Sequence, residues 1–302
     1  MTSRIGSVAK TALVSALTLA AGAAMAQTNF TLDFGNTCTN TSSPTLAGQT
    51  NTGTCGSVNA IATKVTGWSA DTTVTPNTNG TPNAGASFVQ QWVQNYGSGS
   101  GLGVKTTSGT GSIETTSPNH AIDNQDQLEG VLLYFGQAVT LKQLAIGWAS
   151  TDSDLSLFAY TGSATTSAST AMSGTKVGGS TGTSGIGSSW SLISNYADAD
   201  NPNGSATDTA FNVNAGGTSS SWWFISAYNS KFGGACKDAG TGATSTACTS
   251  SPNDYFKLLS VAGTFGGGSS QNQTPEPASI ALVSMGLIGA LGMRRRRATP
   301  QA

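Results

Sequence analysis

Between residues 28 and 265 the apolar positions recur in short runs, each closed by Gly, Asn, Ser, Thr or Asp. Phe30 to Phe34 places Phe, Leu and Phe on one side of an extended chain. Lys64–Ser69, Ser87–Gln94 and Leu102–Thr106 follow. Leu128–Phe135 and Val139–Trp148 are the most apolar pair, and Gly136-Gln137-Ala138 between them has the length of a hairpin loop. Asp154–Tyr160 alternates, with Leu155, Leu157 and Ala159 on one face and Ser156, Phe158 and Tyr160 on the other. Trp190–Ser194, Ala210–Val213, Ser221–Tyr228 and Tyr255–Phe265 complete the set. No segment of this body sustains a helical period with caps. The pattern predicts an all-β body over 27–265, a β-sandwich or jelly roll.

Two stretches break the pattern. Residues 161–189 are almost entirely Thr, Ser, Gly and Ala, which predicts a long exposed loop. Residues 266–274 are Gly, Ser, Gln and Asn with one Thr, the composition of a flexible linker.

The two ends are different again. Arg4 and Lys10 are basic, Thr11 to Ala21 is apolar, and Ala24-Met25-Ala26 has the small-x-small form of a signal-peptidase site. This predicts a signal helix over 1–26 and a mature chain starting at Gln27. At the other end, Pro275-Glu276-Pro277 precedes an apolar run over 278–293 and then Arg294, Arg295, Arg296 and Arg297. As a helix that run spans roughly 24 Å, short of a ~30 Å hydrocarbon core. Gly286, Gly289 and Gly292 weaken it further. Such a transmembrane helix suits a temporary anchor, and the arginines hold its end in the cytoplasm. An ordinary C-terminal anchor is the plainer alternative.

The order of motif, apolar run and arginines over 275–297 resembles the PEP-CTERM sorting signal. The resemblance implies export in a Gram-negative bacterium, processing by signal peptidase and transient retention in the inner membrane. Recognition by an exosortase and release to the cell surface or outside would follow. The body resembles a family of exosortase-dependent surface proteins that carry this tail. The residues concerned are HisAlaIleAspAsn (120–124), ValLeuLeuTyrPhe (131–135), ValThrLeuLysGlnLeuAlaIleGlyTrp (139–148) and AspSerAspLeuSerLeuPheAlaTyr (152–160). SerTrpTrpPheIleSerAlaTyrAsn (221–229) and AspTyrPheLysLeuLeuSerValAlaGly (254–263) continue the series. This resemblance implies an address and a fold, with no assigned chemistry. The role it suggests is structural or interactive, in the envelope, the exopolysaccharide or a biofilm.

Charge and cysteine content sharpen that reading. All the arginines lie in the two ends, so the body sets seven lysines against thirteen acidic residues, a net charge of −6. That balance argues against a nucleic-acid partner. Four cysteines in an exported chain point to disulfides. Three connectivities exist, and the short Gly-, Thr- and Asn-rich loops favour Cys38–Cys55 with Cys236–Cys248.

Candidate chemistry is sparse, and no catalytic residue is assigned. His120 is the single histidine and, with Asp123 nearby, would be the base of a hydrolase. No nucleophile elbow accompanies it, so a loop residue bonding locally is the simpler reading. Asp152 and Asp154 flank Ser153 before a strand, and Asp123 with Asp126 occupies a second polar loop. Alternating Asp oxygens suit Ca²⁺. A calcium-dependent carbohydrate-binding module held by Asp123, Asp152 and Asp154 is the alternative function. Asx-turns at strand starts would equally explain these aspartates. Trp222 and Trp223 fall on opposite faces of their strand, so one of them is a candidate platform for a sugar ring.

Overall fold

The computed structural model describes residues 27–38, 53–58, 61–70, 85–106, 117–125, 127–179, 185–200, 209–249 and 253–266. They fall in one compact unit, Gln27–Gly268. The predicted signal segment, Asp126, and the sorting segment with Pro275, Glu276, Pro277 and the four arginines lie outside the described residues.

The regular structure of the described residues consists almost entirely of strands. These are β1 (Thr28–Asp33), β2 (Gly53–Val58), β3 (Ile61–Ala70), β4 (Phe88–Asn95), β5 (Leu102–Lys105), β6 (Ile122–Asp123) and β7 (Glu129–Thr151). They continue with β8 (Leu155–Tyr160), β9 (Trp190–Ala197), β10 (Phe211–Asn212), β11 (Ser220–Ala227), β12 (Cys236–Asp238), β13 (Thr244–Ser245) and β14 (Asp254–Phe265). Two single-turn helices, α1 (Phe34–Thr37) and α2 (Ala168–Ala171), begin at Asp33 and Ser167, whose side chains accept from Asn36 N and Thr170 N. Such caps satisfy orphan amides at a helix start.

The expected hairpin at Gly136–Ala138 does not form. Leu128–Phe135 and Val139–Trp148 lie on one strand, β7, of 23 residues. The three exposed residues mark where it leaves one sheet and enters another. Before them, β7 pairs antiparallel with β3 and β11. After them, it pairs antiparallel with β14 and β10. A three-residue Gly-containing break serves a bend as well as a turn, and the local pattern does not distinguish the two.

From β11 the first sheet continues through β8 and β9 to β12 and β13, with β9–β12 the parallel pair. On its other side β3 pairs with β4, β4 with β5, and β5 touches β14 at Leu102–Leu258. The circuit β7–β3–β4–β5–β14–β7 therefore closes on itself. The body is all-β, with its two sheets hydrogen-bonded into a barrel-like ring rather than merely stacked. Closure leaves the ring strands paired on both sides, with β1 and β13 at the ends of the strand order.

Both faces of the central strands are covered. Phe158, expected opposite Leu155 and Leu157, is as buried as they are, and Ser156 beside it donates to Asn195 Oδ1 at 2.7 Å. Phe224 is the hub of the aromatic core, meeting Phe88, Phe158 and Trp190. Its ring needs Gly130: a Cβ there would lie 2.5 Å from Phe224 Cζ.

The Ser/Thr-rich stretch is not simply an exposed loop. Four of its apolar residues, Ala171, Met172, Val177 and Ile186, are buried. Its backbone is tied in by Phe88 N to Thr175 O at 3.2 Å and Gly185 N to Phe232 O at 2.7 Å. Composition averages over the stretch and hides these anchors.

Disulfides join Cys38 to Cys55 and Cys236 to Cys248, the pairing that loop length favoured. Each restricts the unfolded chain. Replacing Cys236 and Cys248 together by Ser is expected to cost about 2–3 kcal/mol. A denaturant melt checks this; an unchanged midpoint would mean that the β12–β13 corner holds without its bridge.

Candidate functional site

Four strand ends converge beyond β7. Thr151 ends β7 in a left-handed conformation, φ 63°. Asp152 then bridges to Ser150 and to Asp254, the first residue of β14. Asp154 leads into β8, and Asp198, also left-handed at φ 53°, follows β9. The carboxylate oxygens offered by Asp152, Asp154 and Asp198 lie within 4.8 Å of one another. Asp154 is buried, Asp152 half-buried and Asp198 exposed, so the cluster opens to solvent on one side.

The surrounding hydrogen bonds hold these carboxylates in place. Asp154 accepts from Thr249 N at 2.7 Å and from Asp198 N at 3.1 Å. Asp152 accepts from Ser153 N at 2.8 Å. Ser153 in turn donates its hydroxyl to Asp200 and accepts from Asp200 N. Behind them sits Asp254, fully buried, accepting from Asp154 N at 2.8 Å and from the Asn124 amide.

Packing acids together out of water favours their protonated forms. Asp154 is pushed up to about 7, by burial first and then by the charge of Asp152, against its two backbone hydrogen bonds. Asp152 is raised, mainly by burial. Asp254 is raised well above the usual range by burial and by Asp154 and Asp152. Clustered, partly solvated hard oxygens of this kind are what Ca²⁺ takes as ligands. Asp152, Asp154 and Asp198 are the residues that would hold it.

Asp123 is not one of them. Its Oδ1 accepts from Gln125 N at 3.0 Å, a local turn bond. It is Asn124, the next residue, that reaches the cluster through Asp254. Asp198 was missed, although Asp198-Ala199-Asp200 repeats the spacing of Asp152-Ser153-Asp154. That second Asp-x-Asp was the available signal.

The tryptophans correct another expectation. Trp222 and Trp223 do take opposite faces, but both are buried, at 2% and 0% exposure. Trp223 donates its indole N–H to Ser220 O at 3.0 Å, and Trp222 to Thr165 O at 2.7 Å. Neither is an open platform, because the 161–179 segment covers the face that sequence reasoning left to solvent.

His120 lies against the Tyr96 ring, centroids 4.7 Å apart. Burial, then the charges of Lys257 and Lys105, hold its pKa down, opposed by a hydrogen bond to the Pro118 carbonyl. Lys257 is itself nearly buried, its ammonium 3.7 Å from the Trp148 ring centroid and 4.7 Å from that of Tyr96. Burial lowers Lys257 to about 8. The groups gathered around His120 are thus an aromatic ring and two cations, a setting that disfavours the imidazolium a general base must form.

The PEP-CTERM protein-sorting motif matches residues 273–297. No curated protein and no solved structure matches the chain. A β-rich unit followed by this motif defines a sorted surface or extracellular protein. The chain carries the PEP-CTERM sorting motif, which implies a precursor that is exported, anchored in a membrane and then delivered to the surface through an exosortase.

Proposed function

We propose that the protein acts at the surface of a Gram-negative bacterium as a non-enzymatic structural or interaction component of the envelope or exopolysaccharide. The observation that carries this reading is the sorting motif at 273–297 joined to a closed all-β unit. In this reading signal peptidase removes residues 1–26. The apolar run over 278–293 then holds the precursor in the inner membrane until exosortase acts near Pro277. Intact-mass analysis of surface-extracted protein is the test. The expected species begins at Gln27 and ends near Pro277. A surface species retaining residues 278–302, in cells with an active exosortase, would overturn it.

A second reading has its own support. The Asp152, Asp154 and Asp198 cluster favours a calcium-dependent form of the interaction role, in which the ion orders four strand ends and carbohydrate binding depends on it.

A further inference from the structure

We propose that the groove at the bend of β7 binds a neutral saccharide unit of a polysaccharide. This deepens the interaction role proposed above, and it does not require the aspartate cluster.

The groove is an open surface depression of about 560 Å³ lined by Tyr134, Gln137, Ala164, Thr165, Thr166 and Ser221, with the exposed β7 backbone beside them. That volume falls within the ~300–1,000 Å³ typical of small-molecule sites. Its aromatic element is Tyr134, only partly buried, whose ring rests on Trp222 with centroids 4.5 Å apart. Trp222 is fixed in turn by its hydrogen bond to the Thr165 carbonyl. The same contact holds the loop that forms the opposite wall. Ser220 donates to Tyr160 O at 2.8 Å and pins the start of β11. The ring and both walls are therefore ordered before any ligand arrives, which lowers the entropy lost on binding.

The chemistry of the lining selects the ligand. Tyr134 offers an aromatic surface for the C–H face of a pyranose. Gln137, Thr165, Thr166 and Ser221 offer an amide and hydroxyls, which both donate and accept. None of these side chains is charged, and Lys64, opposite Tyr134 on β3, does not line the groove. A charged ligand would lose hydration without gaining a counter-charge. A neutral sugar presents the alternation of apolar face and hydroxyl edge that this surface matches.

The test uses the full-length chain in detergent, titrated calorimetrically with neutral gluco-, manno- and galacto-oligosaccharides and with uronic-acid oligomers, each with and without chelator. At least one neutral series is expected to bind, with chelator making no difference. Tyr134→Ala should weaken binding about tenfold, the equivalent of ~1.4 kcal/mol, and Tyr134→Phe should retain it. Because Tyr134→Ala also removes the stack on Trp222, Thr166→Trp on the exposed loop provides a second variant; it should fill the groove and abolish binding without unfolding the chain. Binding by no neutral series, preference for the acidic oligomers, loss of binding in chelator, or parental binding by both Tyr134→Ala and Thr166→Trp would each overturn the proposal. Surface delivery is measured separately on the same variants. A protein that binds in detergent but never reaches the surface sinks the proposed role and leaves the groove assignment intact.

Discussion

Replacing Arg294, Arg295, Arg296 and Arg297 together by glutamine is expected to remove most of the processed protein from the cell surface. The apolar run before them is short and carries three glycines. A helix of that length would span roughly 24 Å, short of a ~30 Å hydrocarbon core, and would be a marginal anchor alone. The arginines are expected to supply the missing hold. Each costs about 2.5–3.5 kcal/mol at the centre of a membrane helix, so four resist being drawn through. Without them the tail is expected to slip out of the membrane before exosortase acts. Pulse-chase labelling reads the ratio of processed chain to precursor, and lysine at the same four positions should largely preserve it. An unchanged ratio in the glutamine variant would remove the arginines from the sorting step.

In chelator, the stability of the folded chain is expected to fall as pH rises from about 4 to about 7.5, and millimolar Ca²⁺ should restore it at the upper end. Asp154 is raised from 3.8 to about 7 by folding. A carboxyl raised by folding contributes its stability in full below the unfolded pKa and loses it as pH rises through the folded one. Asp254 acts in the same direction. The Asp154 shift alone corresponds to a change in stability on the order of 4 kcal/mol across that window, and Asp254 adds to it. A divalent ion bound by Asp152, Asp154 and Asp198 would cancel the repulsion among the ionised forms, and binding to the folded state alone raises the melting temperature. At pH 5 the ion should do little, because Asp154 is then largely protonated. The Asp152→Asn/Asp154→Asn variant should lose the ion response and the Asp154 part of the pH slope, leaving the part that burial of Asp254 supplies. Thermal melts at pH 5 and 8, each with Ca²⁺ and with chelator, decide it. Superimposable melts at pH 8 would leave these aspartates as turn residues and withdraw the calcium-dependent reading.

Several elements were legible along the chain for a physical reason. β1 alternates buried and exposed residues, and β4 and β14 are apolar stretches closed by turn residues, so all three could be placed near their true ends. Disulfide pairing followed because loop length is itself a sequence quantity, and short loops are easier to close. The short strands β2, β12 and β13 were missed. They are rich in Gly, Cys, Lys, Ser and Thr, and they are strands because of their neighbours rather than their own propensity.

The sequence alone determined the address and the all-β character. A sorting signal is read by a membrane and an enzyme as a linear segment, so its order of Pro-Glu-Pro, apolar run and arginines is complete without a fold. Tertiary structure decided the rest. Only pairing with β3 and β11 on one side of Gly136, and with β14 and β10 on the other, makes β7 one bent strand instead of a hairpin. Only the convergence of β7, β8, β9 and β14 brings Asp198 to Asp152 and Asp154. Only the folding-back of the Ser/Thr-rich segment buries Trp222 and leaves Tyr134 as the aromatic in the groove. Each of these depends on residues distant in the chain, and a local period carries no record of which distant segment will cover it.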